Sequence, residues 1–279
     1  MGDIYLFDGR FLPKEEVNIS PEDRGYYYGD GIYDVFRVYG GRLFEPELHF
    51  RRLERTAAGL RLQMPIESGP LQTKLEELIA RNRLTEGTLY VQITRGTSPR
   101  SLPLPQGVAP VLVAYTTEFP RPVAAMEAGI RAKTVEDIRW LHCDYKTLNL
   151  LPNVLAKQEA LDAGADDAIL HRSGLVTECC ASNIMIVQNG SLVTHPANNL
   201  ILHGVTRAVI LRLAQAAGIP AEERPFSLEE LHEAEEAFIT GTTVEVTPIV
   251  AVDGRPIGGG SAGPVTRRLQ QLFANLIGQ

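Results

Sequence analysis

Four dipeptides that end in glycine set the tightest limit on how this chain folds. Each lies between two short apolar runs, and they are Asp8-Gly9, Ser173-Gly174, Asn189-Gly190 and Asp253-Gly254. A small polar residue followed by glycine suits the left-handed backbone of a two-residue hairpin turn, so each pair predicts two antiparallel strands. The order of strands and helices around these turns predicts an α+β fold of two domains rather than a doubly wound parallel sheet.

The predicted strands and helices form two blocks. The first block contains the Asp8-Gly9 hairpin, the aromatic-rich strand segment YYYGDGIYDVFRVYGGRLF, two amphipathic helices and two further strands. The segment TEFPRPV, residues 117–123, has two prolines and few residues that could pack, which predicts a linker. We therefore expect a small N-terminal α+β domain at residues 1–117, a linker at 118–124 and a larger C-terminal α+β domain at 125–279 that carries Lys146.

The composition is that of an ordinary globular protein, with 279 residues, 44% hydrophobic content and a net charge of -7. The acidic balance argues against a nucleic acid partner. The first residues carry charges where a signal peptide needs an apolar region, and no apolar run could span a membrane, so we expect a cytoplasmic protein. Cys143, Cys179 and Cys180 have neither a disulfide pattern nor a metal-ligand spacing, and we expect buried thiols and no metal.

The segment RWLHCDYKTLNLLPNVLAKQEA, from Arg139 to Ala160, places Lys146 just ahead of a predicted helix. Helical spacing of apolar residues predicts a helix with one buried face, formed by Leu151, Val154, Leu155 and Leu161. A lysine held inside a folded core is suited to form a Schiff base with a carbonyl. The alternative is an ordinary surface lysine whose stem packs along apolar neighbours, and the segment alone favours that alternative.

Other residues could complete a site for a lysine-bound cofactor. A pyridoxal phosphate ring nitrogen stays protonated only beside a carboxylate, and Glu178 lies among small apolar residues where a solvated charge is unexpected. The cofactor phosphate needs donors, which the helix start at 204–207 and the pair Thr242 and Thr243 could supply. Each signal is weak alone, because a strand-end glutamate, a glycine before a helix and paired threonines in a turn are common structural features.

Nearly the whole chain resembles the fold-type IV pyridoxal phosphate enzymes, and within them the D-amino acid aminotransferases. The resemblance rests on the order, spacing and joint presence of seven segments. These are DRGYYYGDGIYDVFRVY (23–39), HFRRLERTA (49–57), QITRGTSPR (92–100), VEDIRWLHCDYKTLNLLPNVLAKQEA (135–160), VTECCASN (176–183), THPANNLILHGVTR (194–207) and TTVEVTP (242–248).

This resemblance implies a pyridoxal 5'-phosphate cofactor and a transaminase. It implies that Lys146 forms the Schiff base with the cofactor and then moves the substrate α-proton, and that Glu178 pairs with the ring nitrogen. Leu202 matches a residue packed behind the ring. The positions that match phosphate ligands are Arg52, Val205, Thr206 and Thr242. The substrates implied are amino acids and 2-oxo acids exchanged by a ping-pong mechanism, and the family implies a homodimer with the site near the domain interface.

The segment expected to bind the substrate carboxylate departs from the family. D-amino acid aminotransferases capture this group with a tyrosine, an arginine and a histidine, which match Tyr33, Arg100 and position 102. Here that position is Leu102. Leucine neither donates a hydrogen bond nor carries charge, so we expect weaker carboxylate binding or a shifted substrate range.

Three alternatives stay open on the sequence. A branched-chain L-amino acid aminotransferase would share Lys146, Glu178 and Arg52, but its relatives lack the RGTSPR segment and differ in GDGIYDVFRVY. A 4-amino-4-deoxychorismate lyase would use the same fold to release pyruvate. A binding or regulatory protein that keeps only the fold is disfavoured because the cofactor-contact positions are chemically competent. The residue types do not determine which enantiomer of the substrate is used.

Overall fold

The structure is a computed structural model and describes residues 3–278. The chain divides into two compact units. The first comprises the residues up to Pro120 together with Tyr145–Leu150, and the second comprises Arg121–Asp144 together with the residues from Leu151 onward. The domain boundaries expected from the sequence remain a prediction, and they differ from these units in the assignment of Lys146. The sequence placed this lysine in the C-terminal domain, whereas residues 145–150 pack with the first unit.

The first unit is built on a six-stranded antiparallel sheet with the strand order β2-β1-β6-β5-β3-β4. Its strands are β1 (Ile4–Phe7), β2 (Arg10–Pro13), β3 (Gly31–Tyr39), β4 (Arg42–Leu43), β5 (Gly87–Thr94) and β6 (Val111–Glu118). Its helices are α1 (Arg24–Tyr28), α2 (Pro46–Gly59) and α3 (Ser68–Asn82), and a 3-10 turn spans Lys14–Glu16.

The two faces of this sheet differ in character. Alternate residues of β3, among them Ile32 and Phe36, are buried in one apolar core with residues of α2 and α3. Successive side chains of a strand point to opposite faces, so Tyr33 lies on the other face. There a row of tyrosine rings crosses four strands, with stacked neighbours 5.1–5.6 Å apart, in the order Tyr33, Tyr90, Tyr115 and Tyr5.

The second unit is built on a nine-stranded mixed sheet with the order β12-β11-β10-β13-β14-β7-β8-β9, and β15 pairs with β14. Its strands are β7 (Ile130–Glu136), β8 (Asp167–Arg172), β9 (Leu175–Cys179), β10 (Asn183–Gln188), β11 (Ser191–Thr194), β12 (Ala221–Glu223), β13 (Glu236–Gly241), β14 (Glu245–Val252) and β15 (Arg255–Pro256). Its helices are α4 (Val123–Ala128), α5 (Leu151–Asp162), α6 (Val205–Ala216), α7 (Leu228–His232) and α8 (Pro264–Leu276).

The four predicted hairpin turns are confirmed. Both residues of every dipeptide have a positive φ, between 45° and 80°. The turns join antiparallel neighbours, namely β1 to β2, β8 to β9, β10 to β11 and β14 to β15. Parallel pairing occurs within the second sheet between β7 and its two neighbours and between β11 and β12, which makes that sheet mixed.

The apolar face predicted for the helix after Lys146 is not buried within the chain. The apolar residues at helical spacing are 49–67% exposed, and they are Leu151, Val154, Leu155 and Leu161. The buried side of α5 consists of Ala156 and Ala160, which pack in a cluster with residues of β7 and β8. Small side chains let the helix approach the sheet closely, so the larger apolar side chains project outward. The helix itself begins at Leu151, and Lys146 precedes it as predicted.

The expected linker at 118–124 overlaps the ends of two regular elements, and only 119–122 lies between them. Strand β6 ends at Glu118 and helix α4 begins at Val123. Arg121 makes a bidentate ion pair with the buried Glu245, with guanidinium nitrogens 2.7 and 2.9 Å from the carboxylate oxygens.

In residues 3–278 no helix is both long enough and apolar enough to cross a membrane.

A fully buried carboxylate ties the segment after β7 to strands β8 and β9. The Asp137 oxygens accept hydrogen bonds from Arg139 Nε and Nη2 at 2.9 and 2.8 Å, from Arg172 Nε at 3.1 Å and from Thr177 Oγ1 at 3.0 Å. Burial by itself raises the pKa of Asp137, but the hydrogen bonds and charges of the two arginines prevail and lower it to about 2.

We expect Asp137→Asn to remove a pH-dependent part of the stability. A carboxyl whose folded pKa is depressed stabilises the fold above its unfolded pKa, near 4, and loses this contribution as the pH falls towards 2. The free energy of unfolding is measured by urea titration at several pH values from 6 to 3. The difference between wild type and variant should be largest at pH 6. A difference that stays constant, or grows as the pH falls, would contradict this assignment.

Candidate active site

Lys146 is held beside a tyrosine on the first unit's sheet. Its Nζ lies 3.3 Å from the Tyr33 hydroxyl and 4.3 Å from the centroid of the Tyr33 ring. The alternative of an ordinary surface lysine is disfavoured, because the amine points to a phenol within the fold. An amine and a hydroxyl at this distance can exchange a proton, and the ring face stabilises a positive charge on the amine.

Main-chain hydrogen bonds fix the segment that carries the lysine. The Lys146 carbonyl accepts from the Tyr33 amide at 3.1 Å, and the Leu148 amide donates to the Gly31 carbonyl at 3.2 Å. The Lys146 amide donates to Thr56 Oγ1 at 3.3 Å. A Cβ at Gly31 would lie 2.8 Å from the Leu148 side chain, so this close approach requires glycine. The backbone of Lys146 is therefore positioned by β3 and α2.

Arg52 belongs to a buried charge cluster in the same unit. Its Nε and Nη2 donate to the two oxygens of Asp34 at 3.0 and 2.7 Å, and His49 Nδ1 lies 2.8 Å from Asp34 Oδ1. Burial opposes ionisation of Asp34, yet the charges of Arg52 and His49 keep the pKa of this carboxyl below its usual range. Burial lowers the pKa of His49, although the neighbouring Asp34 charge opposes this effect. The cluster orients a guanidinium that is buried rather than solvated.

Arg100 and Leu102 lie on the loop between β5 and β6, and both side chains are exposed, Leu102 to 80%. The Arg100 guanidinium carbon lies 5.6 Å from the centroid of the Tyr28 ring. In the described part of the chain, Arg100 has no carboxylate within ion-pair distance. An exposed arginine of this kind is available to a carboxylate from solution.

Glu178 is the central buried acid of the second unit, with only 4% of the residue exposed. Its Oε1 lies 2.5 Å from Arg139 Nη1, and its Oε2 accepts from Asn183 Nδ2 and from the Leu202 amide, both at 3.0 Å. Burial raises the pKa of Glu178 in spite of the Arg139 charge. The alternative of a strand-end surface charge is therefore wrong.

The Leu202 backbone is fixed by this acid and by Asn183. The Asn183 amide donates to Glu178 and also to the Leu202 carbonyl at 2.8 Å. Three residues further on, α6 begins at Val205, after an N-cap at Gly204 that provides no side-chain cap. Val205 and Thr206 are buried at this helix start. Thr242 lies on the turn between β13 and β14 and is partly buried.

One buried hydroxyl without a hydrogen-bond partner lies on strand β13. Within residues 3–278, Thr240 Oγ1 makes no hydrogen bond, although Thr240 pairs with Asn183 across the β10 and β13 ladder. Buried hydroxyls are nearly always satisfied, so orphaned ones indicate a binding surface. No group of three His, Cys, Asp or Glu residues suited to a metal occurs within residues 3–278, and the three cysteines are buried free thiols.

Several residues of these clusters were missed by the sequence analysis. Asp34 and His49 orient Arg52, while Arg139 and Asn183 hold Glu178. All four lie in segments that carry the family resemblance, which was the available signal. Their separations from their partners, such as 39 residues between Arg139 and Glu178, follow no local period and could not be read from spacing.

Comparison with known proteins gives a consistent result. The family model described as amino-transferase class IV matches residues 31–252. The D-alanine aminotransferase of Staphylococcus haemolyticus is 44% identical over 274 residues, which cover 98% of this chain and 97% of that protein. The branched-chain amino acid aminotransferase of Escherichia coli has a TM-score of 0.93 at 27% identity, covering 99% of this chain and 95% of that chain.

A second solved structure is that of a T.th. branched-chain amino acid aminotransferase with pyridoxamine 5'-phosphate. It has a TM-score of 0.91 at 28% identity and covers 99% of this chain and 94% of that chain. The α+β fold predicted from the sequence is thereby confirmed. Since the family match spans most of the chain and a 44% identical relative has nearly the same length, this protein belongs to the class IV aminotransferases.

Proposed function

We propose that this protein transfers the amino group of a D-amino acid, such as D-alanine or D-glutamate, to a 2-oxo acid, either 2-oxoglutarate or pyruvate, with pyridoxal 5'-phosphate as its cofactor. The observation that carries the proposal is the Lys146 amine, held 3.3 Å from the Tyr33 hydroxyl on a segment bonded to β3. The choice of a D-amino acid is supported by the 44% identical D-alanine aminotransferase.

The residues present fit the ring of this cofactor. Each oxygen of a carboxylate accepts about two hydrogen bonds. Oε2 of Glu178 already accepts from Asn183 and Leu202, whereas Arg139 is the one donor to Oε1 among residues 3–278. One acceptor position is therefore left on Oε1, as a protonated ring nitrogen requires. We assign Glu178 to the ring nitrogen and Leu202, whose backbone is fixed by the same acid, to packing against the ring.

The residues also fit the cofactor phosphate. Helix α6 starts at the buried Val205 and Thr206 without a side-chain cap, and an uncapped helix start binds anions through its amide groups and its dipole. The buried Thr240 hydroxyl, which has no partner within residues 3–278, is a further donor in this unit. We assign the phosphate to Val205, Thr206, Thr242 and Arg52.

Lys146 is the residue that moves protons in this mechanism. When bound, the cofactor supplies an aldehyde for the substrate's amino group and a protonated ring that draws electrons from the α-carbon. With the cofactor bound, Lys146 Nζ would take the proton from the substrate α-carbon and move it to the cofactor side of the bond. Tyr33 would hold the amine through its hydroxyl, and Arg100 would bind the substrate carboxylate. The same residues act in reverse on the second substrate, so ping-pong kinetics follow.

We expect Lys146→Ala to abolish transamination, with a loss of about a hundredfold or more, because general acid–base catalysis alone contributes about 10²–10⁴. Borohydride treatment of the wild-type holoenzyme should leave the reduced cofactor on the peptide that contains Lys146, detected by mass spectrometry. The matched control is Lys157→Ala, since that amine pairs with Asp167 at 3.1 Å on the surface. A colourless wild type without any adduct would contradict the cofactor assignment.

The substrate class is tested by a screen with both enantiomers of alanine, glutamate and leucine as amino donors and with 2-oxoglutarate and pyruvate as acceptors. We expect activity with D-alanine and D-glutamate, measured by amino acid formation and product chirality. The second candidate is a branched-chain L-amino acid aminotransferase, favoured by the close structural match to that enzyme. Activity confined to L-leucine and L-glutamate would establish that alternative, and pyruvate release without an amino acceptor would indicate a lyase.

The expected weakness of carboxylate binding at position 102 stays a prediction. The Leu102 side chain is exposed, and its backbone carbonyl lies 3.5 Å from Arg24 Nη2. A leucine side chain adds no donor for a carboxylate. Of the three family positions for this group, Tyr33 and Arg100 supply the polar contacts in our assignment.

We also propose that the protein forms a homodimer, in which the exposed apolar face of α5 is buried. Monomeric proteins rarely expose contiguous large apolar side chains, and such patches mark interaction sites. The face consists of Leu151, Val154, Leu155 and Leu161. The family resemblance supplies the second copy of this chain as the partner.

We expect the wild type to have a mass of twice 30.7 kDa by light scattering, and Leu155→Glu to shift it towards the monomer. A buried glutamate without a partner carries a large desolvation cost, which opposes association. The matched control is Leu276→Glu, because that leucine of α8 is similarly exposed at 44% and lies outside the face. A monomeric wild type would refute the dimer, and a dimeric Leu155→Glu would exclude this face.

A further inference from the structure

The loop between β5 and β6 is held in place by a buried arginine outside it. Arg24 begins the short helix α1, and its Nη1 donates to the Ser101 carbonyl at 2.6 Å, while its Nη2 lies 3.5 Å from the Leu102 carbonyl. The Arg24 amide also donates to the Gly96 carbonyl at 3.0 Å. The loop has no regular secondary structure of its own at 98–110, so these contacts determine where its backbone lies.

Asp30 fixes the side chain of Arg24. The Arg24 Nε donates to Asp30 Oδ2 at 2.7 Å, and Arg95 Nε donates to the same oxygen at 2.8 Å. The two arginines differ in what else they bind. Arg95 donates to the carbonyls of Arg61 and Leu60, whereas only Arg24 reaches the carbonyls at 101 and 102. This difference provides a matched pair for an experiment.

Arg24 also reaches Arg100 through a shared ring. The guanidinium carbons of Arg24 and Arg100 lie 4.8 and 5.6 Å from the centroid of the Tyr28 ring. Arg24 is buried and shares the Asp30 carboxylate with Arg95, whereas Arg100 is exposed and has no carboxylate partner within residues 3–278. The exposed positive charge that an incoming anion can meet is therefore that of Arg100, and its position depends on Tyr28 and on the loop backbone.

We propose that Arg24 is a positioning residue for substrate capture. By fixing the backbone at Ser101 and Leu102, and through Tyr28, it holds the Arg100 guanidinium where a substrate carboxylate binds, without touching the substrate. This inference rests on the proposed function, in which Arg100 binds that carboxylate. Because the Leu102 side chain adds no donor, binding of the substrate carboxylate depends on the placement of few groups. A displacement of such a group by about 1 Å can lower the reaction rate about a hundredfold.

The test compares the holoenzyme with Arg24→Gln, Arg24→Lys and Arg95→Gln. We expect Arg24→Gln to raise the KM for D-alanine and for 2-oxoglutarate by about tenfold to a hundredfold, with kcat changed much less. The cofactor absorbance and the borohydride adduct on Lys146 should not change. Arg24→Lys should restore part of the affinity, since an ammonium can reach one carbonyl but not two. Arg95→Gln should leave KM near the wild-type value.

A double-mutant cycle with Arg100→Gln separates positioning from other effects. If Arg24 acts through Arg100, Arg24→Gln raises KM in the wild type and has little further effect beside Arg100→Gln. An equal increase in both backgrounds, or no increase in the wild type, would overturn the proposal.

A second measurement does not require activity. Trypsin should cleave the Arg100–Ser101 bond faster in Arg24→Gln than in Arg95→Gln, because the loop backbone is released only in the former. Equal cleavage rates would overturn the proposal even if Arg24→Gln lowers the stability. Faster cleavage in a protein that fails to transaminate D-alanine would support the loop anchor and refute the proposed function instead.

Discussion

The return of residues 145–150 to strand β3 is the constraint on which the arrangement of Lys146 depends. The chain leaves the first unit after Pro120 and comes back for six residues, whose amides and carbonyls pair with Gly31 and Tyr33. A hydrogen bond between backbone groups positions a residue regardless of its side chain. The lysine is therefore set at the level of the main chain, and its amine needs only the Tyr33 hydroxyl to complete its orientation.

Buried and half-buried carboxylates that pair with basic side chains occur in both units. Asp34 pairs with Arg52 and His49, Asp30 with Arg24 and Arg95, and Glu178 with Arg139. Removing a charge from water costs several kcal/mol even in real proteins, so such groups are poor evidence of added stability. They are better explained as groups that fix direction, because a bidentate pair admits only a narrow range of guanidinium orientations.

The prediction from sequence succeeded where local pattern determines structure. Dipeptides such as Asn189-Gly190 adopt the left-handed conformation they predicted, since the turn depends on two residues alone. The helix after Lys146 begins where expected. Its apolar face does not pack within the chain, because the spacing of apolar residues does not say which side of a helix meets the sheet. Ala156 and Ala160 fit against the sheet, and Leu155 does not.

The sequence by itself determined the α+β fold and the family, and it led to the proposal that Lys146 is the reactive lysine, because turns and short motifs are encoded in neighbouring residues. Only the tertiary structure decided which groups orient those residues. Arg139 lies 39 positions from Glu178 and Arg24 lies 77 positions from Ser101, and no local rule relates them. Such pairs form only when distant parts of the chain come together in the folded protein, so their geometry is a property of the tertiary structure.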